Sequence, residues 1–524
     1  MIETLDPSRQ VLDETPARAL TFLRAAGTSV PIRTALATRG YTRQEHDRGW
    51  QLVLASSGFD APAGDAGSDL DNTVADASTK VDGHRRYALF VSIPLIGHLN
   101  PLIPQAEELA RRGWHVALAS TSEVRSHVER QAKGVEFVDL GPLGAVAEQL
   151  QRTEVESALD QTYTRGTAKM TANFVELWPT MYDALLRAVS ERRPDVMIVN
   201  IMTFAAMDVA DREGIPFIVN NPYLLAVLPS TVIPPVDRLP FYLSAKSVHD
   251  LTAVDLIRNR FLRLLAPFAL NQTLGKRLNA LRMQKGRAPV DLYSILADRM
   301  IITNSTFGIE YPRALSPLVF ALGPMISQPE PLPEEYSAWF AEGPPVVYAN
   351  LGTLAMASRD VVVRMLSAFE STDFRVLWVL KKELQEAIRA LKIPDNVRIE
   401  SWVPSVSAVL SHDNVRVFIS HCGVNSVYES LAAGTPIVGI PMMAGQREMA
   451  IRVQDAGVGL SVNKSTFTPE ELRRAVLRVL QDDSFRRPIP ALQSLFKLAG
   501  GAGRAADLIE HFAAFGVSFL TRVC

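Results

Sequence analysis

The sequence predicts an α/β protein made of two doubly wound, Rossmann-like domains in series, behind a small N-terminal helical extension. Three observations predict it. Strand-length apolar runs alternate with helix-patterned segments from Tyr87 onward, the alternation stops in a Pro- and Glu-rich stretch at 328–345, and it restarts at Val346. Such alternation implies parallel strands with helices on both faces. The length of 524 residues accommodates two to four domains. With 54 Lys and Arg against 56 Asp and Glu, the net charge of −2 points to no nucleic-acid partner. Cys422 and Cys524 are the only cysteines, too few for a disulfide scaffold or a structural zinc site. The first residues lack a basic stretch followed by an apolar core, and no apolar run reaches ~18 residues. The expectation is a cytoplasmic chain without a transmembrane segment.

Residues 1–59 carry short helical patterns such as ALTFLRAA and read as a separate helical unit without an assigned role. From 60 to 84, Ala, Gly, Ser and Thr surround six aspartates, with Lys80 the one lysine. That composition buries too little apolar surface to offset its ordering entropy and reads as a flexible acidic linker. The first α/β domain spans 85–327. Its strands are YALFVSI (87–93), WHVALAST (114–121), VEFVDL (135–140), VMIVNI (196–201), PFIVNN (216–221), MIITNS (300–305) and VFALGP (319–324). Asn100 and Pro101 read as an N-cap and first helical residue, and Gly113 as the C-terminal stop. The stretch 229–290 reads as largely helical. An interdomain linker at 328–345 leads to a second α/β domain at 346–502, and a helix near 503–515 opens a terminal segment (503–524).

Several phosphate and hydrolase signatures are missing: no GxGxxG after a strand, no GxxxxGK[ST], no GxSxG and no HExxH. What stands instead is Gly97-His98-Leu99-Asn100-Pro101, at the carboxyl end of a strand, where open α/β sheets bind ligands. An imidazole there is suited to general-base work near neutral pH. A histidine capping a turn fits the position equally well. A second constellation runs from Trp402 to Gln446. A strand delivers His421, Gly423, Asn425 and Ser426 to a helix start, where backbone N–H groups and the helix dipole favour an anion. Glu429 follows one turn after Asn425 and suits ribose hydroxyls; the Trp402 indole suits a flat base. Each residue alone is explained by structure, but the set describes a nucleotide-diphosphate pocket that requires no metal or other cofactor.

Residues 85 to 515 resemble family 1 glycosyltransferases, the nucleotide-sugar-dependent class with the two-domain GT-B fold. The segment 402–446 resembles the family's signature, and Gly97–Pro101 its N-terminal histidine motif. The resemblance implies two domains facing across a cleft, a terminal helix returning to the first domain, and transfer of a sugar to a hydroxyl of a small lipophilic acceptor with inversion. The sugar comes from a nucleotide diphosphate sugar, UDP-glucose or similar. It implies His98 as base, Trp402 at the uracil with Val403 among the donor-binding residues, His421, Gly423, Asn425 and Ser426 at the diphosphate and Glu429 at the ribose. Gly352 and Thr353 match the family's pair near the phosphates, and Gln446 its contact to the donor sugar. The acceptor pocket is expected at 222–265, with Tyr223, Leu224 and Phe241 as candidates; Tyr242 and Phe261 belong to the same bulky set.

Three positions depart from the family pattern. Ser405 stands where a Gln is usual. Gly445 replaces an acidic residue before the donor-sugar Gln. Asn200 stands where the family has the aspartate that supports the catalytic histidine; an amide orients an imidazole but does not stabilise an imidazolium as a carboxylate does. Asn200 and Gly445 support an alternative, a catalytically impaired nucleotide-sugar-binding partner or regulator.

Overall fold

A computed structural model describes residues 80–81, 84–159, 164–292, 294–327, 329–352 and 357–516. The helical unit expected at 1–59, most of the acidic linker, Thr353 and Cys524 lie outside the described residues.

Seven strands form the first parallel sheet: β1 (Tyr87–Val91), β2 (His115–Ser120), β3 (Glu136–Asp139), β4 (Val196–Asn200), β5 (Phe217–Asn221), β6 (Ile301–Thr303) and β7 (Val319–Ala321). They pair in the order β3-β2-β1-β4-β5-β6-β7. The apolar runs are buried along their length: every residue of β1, β4 and β5 is buried, as two helix-covered faces require. The second sheet holds β8 (Val346–Asn350), β9 (Arg375–Val379), β10 (Val397–Glu400), β11 (Val415–Ser420), β12 (Ile437–Gly439) and β13 (Gly459–Ser461), ordered β10-β9-β8-β11-β12-β13. The short β13 has no apolar run of its own and was not foreseen.

Both sheets reverse direction after their first strand, between β1 and β4 in one lobe and between β8 and β11 in the other. Such switch points open a crevice at the carboxyl ends of the strands. The loops after β1 and β11 carry the two motifs singled out in the sequence, so topology alone sets both at ligand-binding positions.

Local details differ from expectation. Asn100 does not cap the start of a helix; it closes the end of one, its N–H donating to the Ile96 carbonyl. The chain makes a short helix at Ile96–Leu99, which carries His98, and a second at Ile103–Arg111 that Leu102 precedes. The Asn100 side chain instead meets His127 Nε2 at 2.8 Å. Lys80–Val81 pairs with His84–Arg85 as a two-residue antiparallel ladder at the end of the acidic stretch. Within 328–345 a helix, Glu334–Ala341, packs Tyr336 and Phe340 against Val346, Tyr348 and Phe418 of the second lobe. In the region 229–290 the first helical turn is the short 3-10 segment Val248–Asp250 and the first α-helix starts at Ala253; residues 229–247 run irregularly between the lobes.

The helix Gly501–Phe515 lies on the first lobe. Ala505, Ala506, Ile509 and Phe512 join the core under β1 and β2, Arg112 pairs with Glu510 at 2.7 Å, and Trp114 Nε1 donates to Glu510 at 3.1 Å. Thr306 N donates to Tyr428 Oη at 2.9 Å and Ala245 N to Glu448 at 2.8 Å, so the lobes are also joined by hydrogen bonds in the cleft. Among the described residues no helix is long and apolar enough to cross a membrane.

Candidate active site

A cavity of about 320 Å3 lies between the lobes, within the size range of small-molecule sites. From the first lobe it is lined by Gly97, His98, Thr171, Phe174, Tyr223 and Leu224. From the second it takes Gly352, His421, Gly423, Asn425, Ser426, Glu429 and Gln446. The chain thus brings together residues up to about 350 positions apart, as the two switch points require.

His98 is buried, and its hydrogen bonds define its tautomer. Asn200, the last residue of β4, sets Oδ1 3.1 Å from His98 Nδ1, and the same Oδ1 accepts from Met202 N at 3.1 Å. A backbone N–H only donates, so that atom is the amide oxygen, and Nδ1 carries the ring proton. Nε2 therefore presents its lone pair, and Tyr223 Oη donates to it at 2.9 Å. Burial pushes the imidazole pKa down to about 4, with Asn200 pulling weakly the other way. The ring is neutral at pH 7 and is a base. Phe174 packs edge-on at 5.9 Å between ring centroids. Asp208 is committed elsewhere, to the Trp178 indole and the Arg282 guanidinium.

Opposite stands the turn after β11. Helix Val424–Ala433 begins directly behind Gly423, so its first N–H groups lack helical acceptors and aim at the cavity. The His421 ring lies wedged between two glycines. A Cβ on Gly352, whose φ is +81°, would stand 2.6 Å from it, and a Cβ on Gly423 2.5 Å. Burial lowers the His421 pKa to about 4 and raises that of Glu429 to about 7. Asn425 Nδ2 donates to the Gly97 carbonyl at 3.0 Å, tying this turn to the loop that bears His98. Cys422 is buried and its thiol is pushed up to about 12, which leaves it inert. Gln446 uses Oε1 to accept from Met442 N and Met443 N, leaving its NH2 group as what it offers the cavity.

Other candidates stand apart. Trp402 is 54% exposed and does not line the cavity, while Val403 is buried in the second lobe's core beside Phe340 and Val409. Phe241 lines a separate hollow of about 70 Å3. Phe261 is exposed. Ser405 caps the helix Val406–Leu410, accepting from Ala408 N. Tyr242 lines both cavities, and its hydroxyl lies where a side chain on Gly445 would begin, 2.9 Å from an added Cβ. Sequence reasoning did not place Thr171 or Phe174 in the site. They come from the helix Thr164–Glu176, which has an ordinary amphipathic pattern and no motif.

The fold and cleft are those of a GT-B glycosyltransferase. The glycosyltransferase of kitacinnamycin superposes with a TM-score of 0.62 at 22% identity, over 82% of this chain and 99% of that one. The calicheamicin glycosyltransferase CalG4 gives 0.58 at 20%, over 84% and 100%. The family model "UDP-glucoronosyl and UDP-glucosyl transferase" matches residues 141–499, and the chain belongs to that family of UDP-glycosyltransferases. A UDP-glycosyltransferase of Talaromyces amestolkiae is 28% identical over 383 residues, covering 66% of this chain and 71% of that protein. The 4'-demethylrebeccamycin synthase of Lentzea aerocolonigenes is 27% identical over 449 residues, covering 80% and 98%.

Proposed function

We propose that this glycosyltransferase moves a sugar from a UDP-sugar to a hydroxyl of a small lipophilic acceptor, with inversion at the anomeric carbon and His98 as general base. One observation carries the reading: the unprotonated Nε2 of His98 and the free N–H end of helix Val424–Ala433 line one cavity from opposite lobes. The acceptor oxygen attacks the anomeric carbon while its proton passes to Nε2. The bond from that carbon to the diphosphate oxygen breaks, and its electron pair leaves with the nucleoside diphosphate. The developing charge falls at the turn 421–426, where the first N–H groups of the helix stand free and Ser426 lines the cavity, while Asn425 Nδ2 ties the turn to Gly97. Fixed donors of this kind are worth on the order of 10²–10³ in rate each. Leu224, Phe174 and Leu95 give the first lobe's wall an apolar character suited to a lipophilic acceptor. Gln446 serves the donor sugar and Glu429 the ribose.

His98→Ala tests it. Glycoside formation from UDP-glucose and a phenolic acceptor falls by at least ~10³-fold, while UDP affinity by calorimetry stays within a factor of about three. Transfer persisting near the normal rate removes His98 from the mechanism.

A further inference from the structure

Helix Ala253–Leu270 turns an uncovered apolar face to solvent. Of the eleven large apolar side chains exposed among the described residues, six lie on it: Val254, Ile257, Phe261, Leu264, Leu265 and Phe268. Val254, Ile257 and Leu264 are each more than 70% exposed. At 3.6 residues per turn the six fall in an arc of about 100° and form a stripe about 21 Å long. The opposite face holds the helix to the protein: Asp255 and Asn259 are buried, and Asn259 Nδ2 and Arg263 Nη2 donate to the Leu239 carbonyl at 3.4 and 2.7 Å. A Thr252–Asp255 capping box fixes its start. The stripe is thus the far side of a seated helix.

Charge says what covers it. Residues 253–290 contain eight Lys and Arg and a single acid, Asp255, in a chain whose net charge is −2. Glu176, Asp183, Asp208 and Asp237 of neighbouring elements pair with some of them, and cations still predominate. Arg258 and Arg260 flank the stripe on its two sides; Arg258 pairs with buried Asp255, and Arg260 has no carboxylate partner among the described residues. An apolar stripe edged by two arginines, on a helix whose one acid is buried, matches the boundary between anionic headgroups and acyl chains. A second copy fits it poorly. A two-fold pairing would line the same seam with arginines from both chains, and the helix itself carries only the buried Asp255 to answer them.

We propose that helix Ala253–Leu270 docks this protein on an anionic lipid surface, with the stripe in the headgroup–acyl boundary and Arg258 and Arg260 at the phosphates. The docking does not rest on the transfer reading. It does give that reading a geometry, because the helix is bonded to the 229–250 segment whose Tyr242 lines the active-site cavity.

Flotation of the full chain with vesicles tests it. The wild-type protein floats with phosphatidylcholine vesicles that contain phosphatidylglycerol and much less with pure phosphatidylcholine, and salt weakens the binding. Leu264→Asp lowers the bound fraction by on the order of tenfold or more, and Arg260→Glu lowers it by about fivefold or more. Both positions face solvent, so the melting temperature stays unchanged. Failure of the wild type to float with phosphatidylglycerol vesicles at low salt overturns the proposal. So does Leu264→Asp floating like the wild type. A dimer in sedimentation that Leu264→Asp dissociates, with no flotation, overturns it in favour of a second copy. Loss of transfer in His98→Ala with flotation intact keeps the two readings apart.

Discussion

The Tyr223 hydroxyl donates a 2.9 Å hydrogen bond to His98 Nε2, the lone pair that an incoming acceptor must use. The hydroxyl is held in the protonated state, because burial pushes its pKa far above the ordinary value. An acceptor therefore exchanges one hydrogen bond for another at that nitrogen. Tyr223→Phe removes the occupant, a bond worth about 1 kcal/mol. Acceptor KM is expected to fall and kcat/KM to rise by up to about fivefold, read from initial rates with varied acceptor. A collapse of kcat would instead make the phenol a proton relay between acceptor and imidazole.

That contact was illegible in the sequence, although both residues were singled out. Tyr223 and His98 are 125 positions apart, and only the order of the strands brings the ends of β1 and β5 to one cleft. The motif residues were legible because they follow strands at fixed offsets: His98 after β1, Asn200 at the end of β4, His421 after β11. The apolar runs of β1, β4 and β11 were legible for a related reason, since burial on both faces leaves little room for polar residues. Asn100 misled because Asn-Pro is a helix-start signal that two competing short helices overrode. Phe241 misled because bulk in an irregular segment does not report which of two hollows a ring faces. Thr171 and Phe174 carried no signal at all.

Burial accounts for the low basicity of His98, and Asn200 offsets little of it. A neutral amide on Nδ1 orients the ring but does little to offset its burial, hence a pKa near 4. The base form then persists down to about pH 4, and transfer limited by His98 titration keeps its plateau below pH 6. Asn200→Asp puts a carboxylate on Nδ1 and raises the imidazole pKa by roughly 1–3 units. The acid limb of kcat/KM should move upward by that amount, and turnover at pH 8, where the ring is still neutral but more basic, should rise. The buried carboxylate also destabilises the fold, so the variant should melt lower. An acid limb that stays in place would show that a group other than His98 sets it.

Glu429 gives the donor side its own pH dependence. Burial raises its carboxyl to about 7 in the unliganded protein, and accepting hydrogen bonds from ribose hydroxyls favours the ionised form. Binding that requires the carboxylate is strong above pH 7 and is lost as pH falls, by about tenfold between pH 8 and pH 6 from the ionised fraction alone. UDP-glucose is the suitable ligand, because its phosphates do not titrate in that range. Glu429→Gln should bind more weakly at pH 8 and show a flat profile. A wild-type affinity that is constant from pH 6 to pH 8 would separate Glu429 from the nucleotide.

Gly445 and Tyr242 explain each other. Where an acidic residue precedes the donor-sugar Gln in the resembling family, this chain has no side chain, and the Tyr242 hydroxyl fills the space 2.9 Å from where a Cβ would stand. Restoring the acid alone therefore drives it into the phenol. Gly445→Asp is expected to lower kcat/KM for UDP-glucose by on the order of tenfold, since an overpacked site costs roughly 1–3 kcal/mol. Tyr242→Ala vacates the space at the cost of lost packing. The double variant Gly445→Asp/Tyr242→Ala should exceed the product of the single effects, with a coupling of about 1–2 kcal/mol in the cycle. The coupling is measurable as kcat/KM ratios across the four proteins with two donor sugars. If the two substitutions simply multiply, Tyr242 is a wall of the cleft and has no part in how the donor sugar is held.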